Sequence, residues 1–157
     1  MRLIVLLSFS VFFVLLSCVP QNADPEVSKS EIHALMDSWH LAASEADEDK
    51  FYGLMTEEAI YIGTDSSERW KRDELRKWAT KAFEREVAWD FKAFDREVYI
   101  SKDGQTAWFE EKLNTWMGTC IGSGVLTMEK EEWKISHYHL GVTISNEKIK
   151  EFIEIEQ

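Results

Sequence analysis

Apolar residues at Ile32, Leu35, Met36, Trp39, Ala42 and Ala43 recur every three or four positions, the spacing of one stripe along a helix. Just ahead of them, Ser28-Lys29-Ser30-Glu31 reads as a capping box, with Ser28 accepting from the backbone and Glu31 reaching back. A second, short helix is expected from Asp47, with Phe51, Leu54 and Met55 inward. A third spans about Arg72 to Phe83, with Leu75, Trp78, Ala82 and Phe83 on one side. Between them Ala59 to Ile62 reads as a strand, and Gly63 to Glu68 as a polar connection.

From Trp89 onward the period drops to two. Trp89, Phe91 and Ala93 alternate with polar residues, and Val98 and Ile100 resume the strand. Asp103-Gly104 is a hairpin signal. Thr106 to Trp116 is the next strand, Gly118 marks a turn, and Cys120 to Met128 follows. Glu129 to Glu132 forms a charged hairpin, and Trp133 to Ile144 is the last long strand. Asn146 would cap a short terminal helix with Ile149, Phe152 and Ile153 inward. Helices first and an antiparallel meander behind them predict an α+β fold. The expected shape is a cone: a curved antiparallel sheet with a mixed edge, three N-terminal helices packed across its concave face.

The first twenty residues read as an address. Arg2 precedes an apolar run from Leu3 to Leu16, interrupted only by Ser8 and Ser10. At 14 residues it is shorter than the ~20 a helix needs to cross a bilayer, and its charge and length suit an export signal. Leu15-Leu16-Ser17-Cys18 resembles the bacterial lipobox, which implies cleavage before Cys18 and lipidation of that residue. Residues 1–17 are then a lipoprotein signal peptide, 18–28 a tether, and 29–157 the domain. The membrane would be met only through the lipid anchor. The expected location is the bacterial cell envelope, on the outer membrane facing the periplasm if the cell is Gram-negative. Cys120 is then the one free thiol of the mature chain, and no internal disulfide can form.

Length, 157 residues, suits one domain. Lys and Arg number 18 against 29 Asp and Glu, a net charge of −11, which would repel a polyanion and argues against nucleic acid as a partner. Seven Trp, nine Phe and four Tyr make the chain rich in rings. Most of these belong to a core, but a pocket lined by them would take a flat apolar ligand.

His137-x-His139 is the sharpest local feature. On a regular strand both imidazoles share a face with Ile135, while Tyr138, Leu140 and Val142 share the other, which suits a sheet-to-sheet dimer contact. Turned into the cone, the two His would serve as a base or as ligand-orienting groups. Glu110 and Glu111 face opposite sides of their strand. Either would be a tuned carboxylate among aromatics, and the pattern leaves both open. No spacing supplies a third metal ligand, so neither metal nor another cofactor is expected. Gly122 and Gly124 allow bending or close packing, and Cys120 reads as a small buried hydrophobe.

Tyr61-Ile62-Gly63-Thr64-Asp65-Ser66-Ser67-Glu68-Arg69-Trp70 resembles the Gly-Thr-Asp…Glu-x-Trp signature of SnoaL-like domains in the nuclear transport factor 2-like superfamily. Ala107 to Glu111, Gly122 to Leu126 and Trp133 to Leu140 look like the same group, in the same order. The resemblance covers about Ser28 to Ile155. It implies a cone-shaped α+β barrel, commonly a homodimer through the outer sheet face, and no single activity. The acid–base set of the family's cyclases and isomerases does not map onto this chain residue by residue. Three readings follow. The first is a small-molecule binding domain, its ligand held by Trp39, Tyr61, Thr64, Asp65, Trp78, Trp108 and Trp116. The second is an acid–base enzyme of isomerase, cyclase or hydratase type using Glu110 with His137 or His139. The third is an assembly module that offers its sheet face.

Overall fold

The computed structural model describes residues 25–155; the segment read as an export signal, Cys18 and most of the expected tether lie outside them. The chain runs through α1 (Pro25–Ser44), α2 (Glu48–Gly53), β1 (Met55–Ile62), β2 (Arg69–Lys71), α3 (Arg72–Phe83), β3 (Lys92–Ile100), β4 (Thr106–Thr115), β5 (Gly118–Glu129) and β6 (Glu132–Val142). A 3-10 turn (Asn146–Lys148) and a short α4 (Ile149–Ile155) close it. All six strands form one mixed, curved sheet in the order β2-β1-β6-β5-β4-β3. β1 lies parallel to β6, and every other pair is antiparallel. α1 packs on β3 and β6, and α3 on β1 and β2. These contacts define an inner, helix-covered face and an outer face.

Most predicted elements form, with shifted ends. α1 is described from Pro25, so Ser28 sits inside the helix, buried, rather than capping it. The α1 stripe points inward as its spacing requires: Ile32, Met36, Trp39, Ala42 and Ala43 are buried. The third helix occupies its expected span, but Leu75, Ala79 and Phe83 are its buried side. Trp78 is 54% exposed. Trp89 and Phe91 precede β3 instead of opening it. α4 packs chiefly on the 3-10 turn, and Ile149, Phe152 and Ile153, expected inward, are exposed.

Two bulges decide which side chains face the helices. In β6 the partners of the neighbouring β5 residues Val125 and Leu126 are His137 and Ile135, so Ser136 is an extra residue, its hydroxyl donating to the Val125 carbonyl at 3.1 Å. An extra residue reverses the alternation beyond it. Ile135 and Tyr138 both point inward and are buried, and Leu140 follows. His137 and His139 therefore lie on the outer face, against the parity that a regular strand predicts. In β3 the partners Lys112 and Glu110 of β4 fall opposite Phe94 and Glu97. The extra residue there comes with Asp95 at φ 55, and Arg96 is turned inward opposite Glu111.

The inner face is packed solid at its centre. Trp39 stacks on Phe51 (ring centroids 4.6 Å) and meets Tyr138 edge-on at 4.6 Å. Tyr138 in turn stacks on Tyr61 at 5.4 Å. The glycines of β5 permit this crowding. A Cβ on Gly122 would lie 2.5 Å from the Tyr138 hydroxyl and 3.0 Å from Glu111 Oε1, and one on Gly124 would lie 2.8 Å from the Phe109 ring.

Candidate functional site

At the mouth of the cone the packing stops short and leaves a cavity of about 140 Å³. Each wall comes from a different element. Tyr61 comes from the end of β1, Gly63, Thr64 and Glu68 from the connection that follows, Trp70 from β2 and Trp78 from α3. Trp89 and Phe91 lead into β3, Trp116 and Met117 form the β4–β5 turn, and Leu140 lies on β6. Trp70 and Trp78 lie 4.5 Å apart at 33°, and Tyr61 is 6.3 Å from Trp70 at 38°, a nearly continuous wall of rings. The Trp89 segment is tied to α1 by the amides of Ala88 and Trp89, both donating to the Ala43 carbonyl at 3.1 Å. Thr115 organises the opposite turn: its hydroxyl accepts from the Met117 amide and donates to the Gly118 carbonyl.

The Gly-Thr-Asp…Glu-x-Trp segment is a self-bonded turn that delivers its carboxylate to this cavity. Asp65 accepts from the amide and the hydroxyl of Ser67 at 2.8 and 2.6 Å, which hold its carboxyl below the usual range. The Asp65 amide donates to Glu68 Oε2 at 3.2 Å. Gly63 donates its amide to the Glu68 carbonyl at 2.9 Å, and a Cβ there would collide with the Glu68 carboxylate. Only glycine leaves the space into which Glu68 folds. Burial and then the charge of Glu68 push the Tyr61 hydroxyl well above its ordinary range, so that phenol stays protonated.

Beneath α1 lies a polar network centred on a buried carboxylate. Glu111, on β4 between the buried Phe109 and Leu113, is 1% exposed. Its Oε1 sits 2.7 Å from His40 Nε2 of α1, and its Oε2 accepts from Arg96 Nε at 2.7 Å. Arg96 also donates to the His33 carbonyl at 3.0 Å and to Asp37 at 2.8 Å. Burial alone would raise the Glu111 carboxyl; the hydrogen bond and charge of His40 and the guanidinium of Arg96 outweigh it and hold the group ionised, below its ordinary value. The Tyr138 hydroxyl has no hydrogen-bond partner among the described residues. Burial first, then the Glu111 charge, raises its pKa far above normal. A carboxylate with both oxygens occupied and its pKa lowered is suited to joining α1 to the sheet, not to trading protons.

The residues singled out from sequence separate into three groups. Tyr61, Thr64, Trp78 and Trp116 line the cavity. Asp65 builds the turn beside it, and Trp39 is buried core behind it. Trp108 stands on the outer face, stacked on Tyr99 at 5.8 Å. Glu110, His137 and His139 share that outer face. The register sets Glu110, Ser123 and His139 in one row across β4, β5 and β6, which puts Glu110 and His139 two strands, about 10 Å, apart. Burial, then the charges of His139 and Arg69, lower the His137 pKa. Glu111, not Glu110, is the carboxylate that the fold turns inward. The inward apolar neighbours Phe109 and Leu113, two residues to either side, carry that signal in the sequence. His40 and Arg96 carry no signal in the sequence, because their partner Glu111 is 71 and 15 residues away across a helix and a bulge, whereas Glu68 belongs to the Gly-Thr-Asp…Glu-x-Trp segment. Among the described residues no three His, Cys, Asp or Glu side chains gather as a metal site.

Comparison with known proteins agrees with this architecture. The family model of the SnoaL-like domain matches residues 32–145. Among curated proteins none matches the sequence. A domain of unknown function with a cystatin-like fold from Nostoc punctiforme superposes with a TM-score of 0.66 at 17% identity, over 85% of this chain and 88% of that one. A nuclear transport factor 2-like protein of unknown function from Pseudomonas putida gives 0.65 at 11% identity, over 78% and 92%. A candidate ketosteroid isomerase from Parabacteroides distasonis gives 0.57 at 17%, over 71% and 85%. At these identities the structures speak for a shared fold alone, while the family model spans most of the chain: this protein belongs to the SnoaL-like domain family.

Proposed function

We propose that this protein is an exported, lipid-anchored SnoaL-like domain that binds one small ligand of apolar surface in the aromatic cleft at the mouth of its cone. The observation that carries the reading is the contrast between that cleft and the interior behind it. The interior is filled by Trp39, Phe51, Phe109 and Tyr138, whereas the cleft keeps a cavity of about 140 Å³ walled by indoles. A cavity of about 150 Å³ lined by apolar groups holds one benzene, so the cleft matches a single ring or an alkyl group of that bulk. Calorimetric titration of the full chain with p-cresol tests it: saturable binding that Trp78→Ala abolishes supports the cleft, and no heat at millimolar probe refutes it. The anchor is tested by mass spectrometry of membrane-extracted protein. Lipidated mass on wild type and a soluble or unprocessed form of Cys18→Ser are expected; an identical form of both would refute lipidation.

The outer face favours a second role, self-association into a homodimer. Tyr99 and Trp108 are stacked there yet each remains more than 40% exposed, beside exposed Phe94 and Ile121. Such a patch on a sheet suits a partner. Light scattering should give twice the chain mass, and Trp108→Glu should give the monomer.

The acid–base reading finds less support. Among the described residues the buried carboxylate–imidazole pair, Glu111 with His40, has its second oxygen taken by Arg96, and neither residue lines the cleft.

A further inference from the structure

Resting on the reading that the mouth cleft is a ligand site, we infer that its ligand is a small organic cation, a methylated ammonium group. Two features of the cleft point the same way. The first is the number of rings. Four indoles, one phenol and one phenyl ring contribute to a space of about 140 Å³, where an uncharged apolar ligand would be served as well by leucines. Aromatic faces carry negative charge density and attract a cation directly, tryptophan most strongly. A methylated ammonium also presents an apolar surface, so it enters such a space at less desolvation cost than a primary amine.

The second feature is the charge that is present. Among the described residues lining the cleft, Glu68 is the only charged one. It is half-buried and stays there because Gly63 lacks a side chain that would expel it and because the Asp65 amide donates to it. A carboxylate held beside an apolar space opposes anions and gives nothing to a neutral hydrocarbon. It can accept a hydrogen bond from a hydroxyl, but it gains most when a positive charge arrives. Lys81 and Arg85 lie in the adjoining groove that shares Trp78 and Trp89 with the cleft, and Arg85 is committed to the carbonyls of Ala82 and Ala88. Across the whole molecule the net charge of −11 draws cations toward it.

The test compares two probes of one shape. Choline carries a quaternary nitrogen where 3,3-dimethyl-1-butanol carries a carbon. Titrated calorimetrically into the full chain at low salt, choline should bind at least about ten-fold more tightly than its neutral counterpart. Glu68→Gln, checked for an unchanged melting transition, should pull the two affinities together by weakening choline alone. Equal or tighter binding of the neutral probe overturns the inference, as does a Glu68→Gln variant that keeps the preference. If p-cresol binds and neither matched probe does, the cation inference falls while the ligand cleft stands. If no probe binds, both fall.

Discussion

Arg96 Nε meets Glu111 Oε2 at 2.7 Å because β3 carries one residue more than β4 at that level. Without the bulge Arg96 would keep the outer parity of Phe94, two residues earlier, and Glu111 would be a buried charge with only an imidazole for company. One extra residue thus makes a buried carboxylate tolerable and, through His40 and the His33 carbonyl, clamps α1 to the sheet.

Breaking that clamp should be expensive. Glu111→Gln leaves the buried Arg96 guanidinium with only the exposed Asp37 carboxylate opposite it and should cost about 3 kcal/mol, the low end for a broken buried ion pair, read as a lower urea midpoint. The acid limb should change as well. A carboxyl whose folded pKa is depressed contributes stability above its ordinary value of 4.5 and loses that contribution as pH falls through the lower folded value. Wild type should therefore weaken below about pH 4.5, and the Gln variant should show a flatter acid limb.

Tyr138 offers the opposite sign. Its hydroxyl is buried without a partner, so Tyr138→Phe should leave the melting temperature unchanged or raise it, by up to about 1 kcal/mol of stability. A clear loss would reveal a hydrogen bond to that oxygen.

Gly122 should tolerate no side chain. The added Cβ of Gly122→Ala falls against the Tyr138 hydroxyl and Glu111, and the overpacking should cost about 1–3 kcal/mol. Combined with Tyr138→Phe the cost should shrink, a coupling that a double-mutant cycle reads directly.

Trp116 and Trp39 should behave as different kinds of tryptophan. Trp116 is 84% exposed, so Trp116→Ala should move stability by no more than about 0.5 kcal/mol while lowering p-cresol affinity several-fold. Trp39→Ala empties a core position and should cost about 3–5 kcal/mol.

Glu110→Gln and His139→Ala should leave binding in the cleft untouched, since both side chains stand on the far side of the sheet. A several-fold loss of affinity in calorimetry would move the ligand site to the outer face.

Local chemistry was enough to locate the helices, the long strands and their hairpins. A stripe at three and four, alternation at two, and turns such as Asp103-Gly104 act over a few residues and are read where they stand. The aromatic surplus suggests a ring-lined pocket in the cone, but that Tyr61, Thr64, Trp78 and Trp116 line one cleft while Trp39 and Trp108 do not is decided by packing. Facing was another matter. Ser136 and the Asp95–Arg96 step each insert a residue whose partner strand has none, and an insertion of that kind is defined only by the register of a second strand. It reversed the expected orientation of His137 and His139, turned Tyr138 inward and aimed Arg96 at Glu111. The meeting of His40 with Glu111 across 71 residues likewise depends on where α1 lies on the sheet. Side-chain type and spacing are properties of the chain, whereas the direction a side chain faces, and what it meets there, belong to the packed fold.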